Sequence, residues 1–202
     1  MKTVHLLDYG LGNIGSLQTL FQSLGFAAVL TSDSAVLQAS PLVVLPGVGS
    51  ATTAMRRLHE RGLVEPLRAR HAAGRALLGI CLGAQLPFTF LEESGTDGLG
   101  LLPGRVTRLP DRIRFNTGWC RLEWDRTRTN GFGTGLKATD SYFFNHQYAV
   151  PAADGFVTVE AEPDIPAMYF LPNICGIQFH PEKSQSPGRL LVRNILRHYH
   201  GL

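Results

Sequence analysis

The stretch Ala76-Leu77-Leu78-Gly79-Ile80-Cys81-Leu82-Gly83-Ala84-Gln85 decides the fold. Its first five residues carry no charge and no polar alternation, the pattern of a parallel strand covered on both faces. A Gly-x-Cys-x-Gly sequence follows, where the chain must turn sharply into a helix. Toward the N-terminus, Leu42-Val43-Val44-Leu45 repeats the apolar pattern and breaks at Pro46-Gly47-Val48-Gly49-Ser50. Between these strands the periodicity predicts helices over residues 51–59 and 65–73, closed by Gly74. Further back, Val4–Leu7 ends in Asp8-Tyr9-Gly10-Leu11-Gly12-Asn13. A helix face of Ile14, Leu17, Leu20, Phe21 and Leu24 then runs to Gly25, where a terminating glycine belongs. Strand 27–30 and helix 34–39 complete a repeated strand–helix order. That order predicts an α/β fold: a mostly parallel central sheet flanked by helices, with sites at the carboxyl ends of its strands. C-terminal to residue 100 the reading changes. Segments 104–109, 119–124, 142–150, 156–162, 167–171 and 175–179 look like strands joined by Gly, Pro and Asp turns. They predict antiparallel strands added to the same sheet, before a last helix over 187–198. No repeat and no linker interrupts the chain, so residues 1–202 read as one domain.

Of the 202 residues, 44% are hydrophobic and 17% charged, which favours a packed core over disorder. No apolar run reaches the roughly 18 residues of a membrane-spanning helix. The first apolar stretch is followed at once by Asp8, unlike a secretion signal. The net charge of +3 comes from basic residues scattered singly or in pairs such as Arg56-Arg57, so a solvated surface and no nucleic-acid partner are expected. Three cysteines, Cys81, Cys120 and Cys175, are odd in number and lack CxxC spacing. That argues against disulfides and zinc and for a reduced, cytoplasmic compartment. No metal or cofactor is expected.

Cys81 has the setting of a nucleophile. Flanking glycines relieve crowding at a strand-to-helix elbow, which lifts the sulfur above the sheet. A helix N-terminus there would favour thiolate, and the Leu82 N–H would supply one oxyanion donor. Cys120 and Cys175 lack this setting and read as structural. A thiolate attacking an amide also needs a proton donor for the departing ammonia. Of seven histidines, His5, His59, His71, His198 and His200 look structural or solvated. His180 ends a buried strand, Pro181 fixes the turn after it, and Glu182 can reach back to orient the ring. His146 also ends an apolar strand. No carboxylate follows it, so it reads as a pocket residue and the rival base.

At this point the residues resemble a known family. Gly79–Gln85 with His180-Pro181-Glu182 is similar to the class I (triad) glutamine amidotransferases. Within that class Asp8–Asn13, Pro46–Gly49, Gly118-Trp119 and Phe179–Gln185 resemble the glutaminase subunits of imidazole glycerol phosphate synthases, over residues 1–202. The resemblance implies that Cys81 forms a γ-glutamyl thioester, His180 moves the proton and Glu182 orients it. It implies that Gly47, Gln85, His146, Gln147 and Tyr148 bind glutamine, with Val48 and Gly49 supplying the second oxyanion N–H after a peptide reorientation. It further implies a heterodimer with a (β/α)8-barrel cyclase of histidine biosynthesis, which receives the ammonia near Asn13, Trp119 and Lys183.

The chain departs from the family pattern at Phe115-Asn116-Thr117, at Cys120 and at Gln147, where Pro-His-Met, Asn and Ser or Thr are usual. These changes leave the triad untouched and concern the partner and pocket. The close alternative is therefore a paralogous glutaminase feeding a sugar amidotransferase of cell-surface polysaccharide synthesis. The glutaminase of pyridoxal phosphate synthase would carry Gly-Gly-Glu-Ser-Thr in place of the loop at Gly47. A cysteine hydrolase or deglycase-like protein would not need Gln85 or Lys183-Ser184-Gln185, and a purely regulatory binder would leave the triad incidental.

Overall fold

Four apolar segments lie side by side and parallel, in the order β2 (Ala27–Thr31), β1 (Thr3–Leu7), β3 (Leu42–Leu45) and β4 (Ala76–Ile80). The computed structural model describes residues 2–123, 131–152, 157–159 and 162–201. Every residue of β3 and β4 is buried, which requires cover on both faces. Val4, Leu6, Val44, Leu78 and Ile80 turn to one core, shared with α1 (Ile14–Ser23) and α6 (Gln185–Tyr199). Leu7, Val43, Leu45 and Leu77 turn to the other, shared with α2 (Ser34–Ala39), α3 (Ala51–Glu60) and α4 (Val64–Ala72). Local signals fix the helix ends. Asp33 accepts from the N–H of Ala35 and Val36 at 2.7 and 3.2 Å, Ser50 caps α3 through Thr53, and Gly25 adopts φ 85° after α1.

The last strand, β13 (Ile174–Ile177), pairs parallel with β4. Beyond it the sheet turns antiparallel through β12 (Glu162–Phe170), β11 (Val157–Val159), β8 (Asn116–Glu123) and β9 (Ser141–His146), making nine strands. Of the expected strand residues, Trp124, Phe156, Glu160 and Ala161 lie outside the described residues.

Three expectations need correction. The predicted strand 142–150 is two strands in two sheets. Its first half is β9. Its second, β10 (Tyr148–Ala149), pairs with β7 (Leu102–Arg108) in a separate four-stranded sheet with β5 (Phe88–Leu91) and β6 (Thr96–Asp97). The predicted strand at 104–109 therefore does not extend the large sheet. The small sheet exists because Phe88, Leu91, Leu102 and Val106 are needed to close the core over α3 and α4. Its strands β5 and β6 went unpredicted because runs this short carry little periodicity. Finally, the helix after Cys81 is a single turn, α5 (Leu82–Gln85). Pro87 has no N–H to offer the Gly83 carbonyl, so α-helix cannot continue. Among the described residues no helix is long and apolar enough to cross a membrane.

Arg70, on α4, is fully buried. Its guanidinium donates to the carbonyls of Leu37, Ser40, Pro41 and Ala76, the last two at the entries to β3 and β4. Burial pulls its pKa down to about 10. No apolar side chain can satisfy these carbonyls, and an orphaned buried acceptor is costly. Arg70→Met should destabilise the fold by ~2–4 kcal/mol, read as a lower melting temperature. Alkylation of Cys81 in the folded variant should be unchanged, because the clamp sits at the opposite end of β4.

Candidate active site

Cys81 adopts φ 54°, ψ −114° at the tip of β4. A β-carbon makes that conformation unfavourable by roughly 1–3 kcal/mol, so its surroundings must enforce it. They do so by close backbone packing. A β-carbon on Gly83 would lie 1.9 Å from the Leu45 carbonyl oxygen, and one on Gly79 would lie 2.3 Å from that of Gly83. The Cys81 N–H donates to the Ile177 carbonyl at 2.7 Å, and its carbonyl accepts from Ala84 at 3.0 Å. With α5 only one turn long, the expected helix dipole is short. Leu82 is the first residue of that turn and borders the cavity, and an N–H at a helix start has no intrahelical partner.

His180 lies three residues beyond β13 and is gripped by its backbone. Its N–H donates to the Phe143 carbonyl at 2.9 Å. Its carbonyl accepts from the Ser184 hydroxyl at 2.6 Å, and that hydroxyl accepts from the Phe143 N–H at 3.0 Å. Nδ1 pairs with Glu182 Oε1 at 2.9 Å, with the two side chains 5% and 2% exposed. Burial by itself lowers the pKa of this ring. Hydrogen bonds to Cys81 and Glu182, with their negative charges, outweigh it and lift the value to about 9. Since the folded value lies above the ordinary 6.5, ionised His180 stabilises the fold below pH 6.5, and this contribution is lost as pH rises through about 9.

His146 is the opposite case. Burial, opposed in part by a hydrogen bond to the Tyr148 carbonyl and reinforced by the charge of His180, pushes its pKa down to about 4. Both ring nitrogens are engaged, Nδ1 with the Tyr148 carbonyl at 2.8 Å and Nε2 with Asn116 at 3.1 Å. It has no free lone pair with which to take a proton from Cys81.

These groups meet in a cavity of ≈ 700 Å³. Cys81, Leu82, Gln85, Val48, Gly49, Asn13, His146, Gln147, Tyr148, His180 and Lys183 all line it. Three residues named from the sequence do not. Gly47 lies beneath, where a β-carbon would sit 2.6 Å from the Gly83 nitrogen. Glu182 stands behind His180. Trp119 is 49% exposed outside the cavity, edge-on to Phe143, whose ring also carries the Lys183 ammonium at 5.4 Å. Two important residues were not anticipated. Glu93 lines the cavity and accepts from the Ala51 N–H at 2.8 Å. Gln178, buried, accepts from Gln85 Nε2 at 2.9 Å. Glu93 follows the unpredicted β5, and Gln178 hides inside an apolar strand end, so neither carried a signal. In the Pro46 loop the Tyr9 hydroxyl anchors the Pro46 carbonyl at 2.7 Å, whereas Gly49 is at φ 86° with open space around it. Among the described residues no group of three His, Cys, Asp or Glu side chains is placed to hold a metal.

Comparisons with known proteins show the family. The model of the glutamine amidotransferase class-I family matches residues 5–198. The imidazole glycerol phosphate synthase subunit HisH of Geobacter metallireducens is 38% identical over 206 residues, covering 96% of this chain and 98% of its own. That of Moorella thermoacetica is 39% identical over 207 residues, covering 98% and 97%. Among solved structures, PurLQS from Thermotoga maritima superposes with a TM-score of 0.73 over 98% of both chains at 17% identity, a likeness of fold alone. The chain belongs to the class-I glutamine amidotransferases and, within them, sits with the HisH subunits of imidazole glycerol phosphate synthase.

Proposed function

We propose that this chain hydrolyses glutamine through a Cys81 thioester and delivers the ammonia to a cyclase that makes imidazole glycerol phosphate in histidine biosynthesis. The observation that carries the proposal is the ordered set of a strained Cys81, a hydrogen-bonded His180 and a buried Glu182 2.9 Å from the far ring nitrogen. Sγ of Cys81, as thiolate, attacks the carboxamide carbon of glutamine. The oxyanion that forms accepts from the Leu82 N–H and from a second N–H at Val48 or Gly49. Protonated His180 donates to the amide nitrogen, the C–N bond breaks, and ammonia leaves a γ-glutamyl thioester. Neutral His180 then takes a proton from water, whose oxygen attacks the thioester and expels the Cys81 thiolate; the new carboxyl group loses its proton to solvent, so glutamate leaves and the starting thiolate beside protonated His180 is restored. Glu182 holds the ring and stabilises its charged form without touching substrate. The Glu93 carboxylate and the Gln85 carbonyl oxygen are acceptors suited to the amino group and amide of glutamine.

The partner in this reading is a (β/α)8-barrel cyclase, docked on the face that bears Asn13, Trp119 and Lys183. Relatives named as synthase subunits support a heterodimer. The loop explains why partner and activity would be coupled. Tyr9 fixes Pro46, so reorientation is confined to the peptides around Val48 and open Gly49, and a partner that binds the reoriented form shifts the population toward it. One oxyanion donor is worth roughly 10²–10³ in rate.

Cys81→Ala should abolish glutamine hydrolysis while moving stability by no more than ~1–2 kcal/mol; retained turnover would refute the nucleophile. Glu182→Gln should lower turnover by roughly 10²-fold or more and lower the His180 pKa from about 9, read by NMR titration, while alkylation of Cys81 stays detectable. The chain alone should hydrolyse glutamine slowly, and the cyclase with its acceptor bound should raise the rate by roughly 10²–10³. Full speed in isolation would remove the switch. With ammonium salts the cyclase should make product without this chain; failure would mean that the chain does more than supply ammonia.

A further inference from the structure

Tyr148 offers one backbone carbonyl to two side chains of the cavity wall. His146 Nδ1 lies 2.8 Å from that oxygen and Gln85 Nε2 lies 2.7 Å from it. A carbonyl only accepts, so both side chains must donate. His146 therefore carries its proton on Nδ1. Buried against Phe144 and near charged His180, the ring is neutral, which leaves Nε2 a bare acceptor. Only a donor can face it. Asn116, the cross-strand partner of His146 at the end of the β8–β9 ladder, does so with Nδ2 at 3.1 Å. The Asn116 carbonyl then points along β8 and accepts from the Cys120 thiol at 3.4 Å, four residues on and on the same face of the strand. The other arm is set in the same way. Gln85 gives its second N–H to Gln178 Oε1 at 2.9 Å. Both amide hydrogens are used, and Gln85 Oε1, with no donor among the described residues, is left for the cavity. The hydrogen bonds from Cys120 to Gln178 thus fit one consistent set of directions, anchored at one end by the Cys120 thiol and in the middle by the Tyr148 carbonyl.

We infer that Asn116 is a positioning residue, which locks His146 as the neutral Nδ1–H tautomer and, through the shared Tyr148 carbonyl, steadies Gln85 with its acceptor toward the substrate. Neutral imidazole in water favours the Nε2–H form, so this tautomer is imposed by its neighbours. Cys120 has a supporting part: its thiol selects the amide orientation of Asn116 that presents NH₂ to the ring. Without Asn116 the ring can move its proton to Nε2 and abandon the Tyr148 carbonyl, and Gln85 loses half of the arrangement that holds its anchor. The effect falls on substrate binding and not on the chemical step, since neither His146 nor Asn116 exchanges a proton with Cys81. The substrate part of this inference rests on reading the cavity as a glutamine site.

The test is long-range ¹H–¹⁵N NMR of the ¹⁵N-histidine-labelled full chain, with glutamine kinetics on the same samples. The parent should show His146 as the Nδ1–H tautomer. Asn116→Leu should show a population shifted to Nε2–H. Its KM for glutamine should rise about three- to ten-fold, the worth of one neutral hydrogen bond, with kcat within about two-fold. Asn116→Asp, which preserves shape, should raise the His146 pKa above about 4, because its carboxylate can accept only from a protonated Nε2. Cys120→Ser, which keeps a donor to Asn116, should behave as the parent. An Nε2–H tautomer in the parent, or an unchanged tautomer in Asn116→Leu, overturns the assignment. Should that variant not fold, an unmoved His146 pKa in Asn116→Asp overturns it instead. A changed tautomer with an unchanged KM overturns the link to Gln85. A parent that never turns over glutamine counts against the glutaminase reading, and the tautomer still decides the role of Asn116.

Discussion

The contact on which the structure depends is the backbone-to-backbone approach at the end of β4. Leu45, Gly47, Gly79 and Gly83 come together with no room for a single added β-carbon. The chain leaving β4 passes through this gap with Cys81 at φ 54°. The sulfur is raised above the sheet as a consequence of packing before any chemistry is considered. The same approach seats the Pro46 loop against the start of α5, so that Leu82, Val48 and Gly49 border one cavity. The hydrogen bond from the Cys81 N–H to Ile177 ties the end of β13 to the elbow, which brings His180 to the sulfur three residues later. A larger side chain at Gly47 or Gly83 would push the end of β3 from α5, and one at Gly79 would push β4 from α5; either would relax what enforces the strain in Cys81.

Two histidines border this cavity, and their surroundings drive them in opposite directions. Both are buried, which penalises the charged form of each. His180 escapes the penalty because Glu182 and Cys81 present negative charge to its two nitrogens, and it rises to about 9. His146 is given a carbonyl and an amide, neither charged, and falls to about 4. The charge of His180 adds to this, since it makes a second charge at His146 harder to hold. The environment thus separates the proposed acid from the binding residue more sharply than sequence position could.

The parallel half of the fold was legible because its signals are local and redundant. Short apolar runs such as Leu42–Leu45, broken at once by Pro46 and Gly47, read as buried strands, Asp33, Ser50 and Gly25 mark helix ends, and the glycines around Cys81 point to the elbow. The grouping of Cys81, His180 and Glu182 was legible for a related reason, because His180 and Glu182 are neighbours in sequence and only Cys81 had to be joined to them across the fold. The antiparallel half was harder. Its strands are short, and nothing in Phe144-Asn145-His146-Gln147-Tyr148 marks the point where the chain leaves one sheet for another. Glu93 and Gln178 were invisible for the same reason, since their roles depend on tertiary neighbours 42 and 93 residues away in sequence. Asn116 and Cys120 stood out as departures from the family pattern. That they satisfy each other and His146 follows only from the β8–β9 register.

That poorly legible half is also what holds the proposed base. β9 ends the order of the nine-stranded sheet, and an edge strand leaves a row of N–H and C=O groups to be satisfied. At Phe143 those two groups are taken by the loop that follows β13, the carbonyl by the His180 N–H and the N–H by the Ser184 hydroxyl. The same residue turns its ring outward to meet Trp119 edge-on and the Lys183 ammonium. Tyr142, Phe144 and His146, on the other face of β9, are buried. One strand therefore touches the exposed face at Trp119, the backbone of His180 and the wall that holds Gln85. The register of β8 and β9 is strongly specified, because a slip of one residue would exchange their two faces. The β8–β9 ladder thus carries Trp119 on its exposed face and holds both histidines, His146 within β9 and His180 through Phe143, whereas Cys81 is set by the elbow.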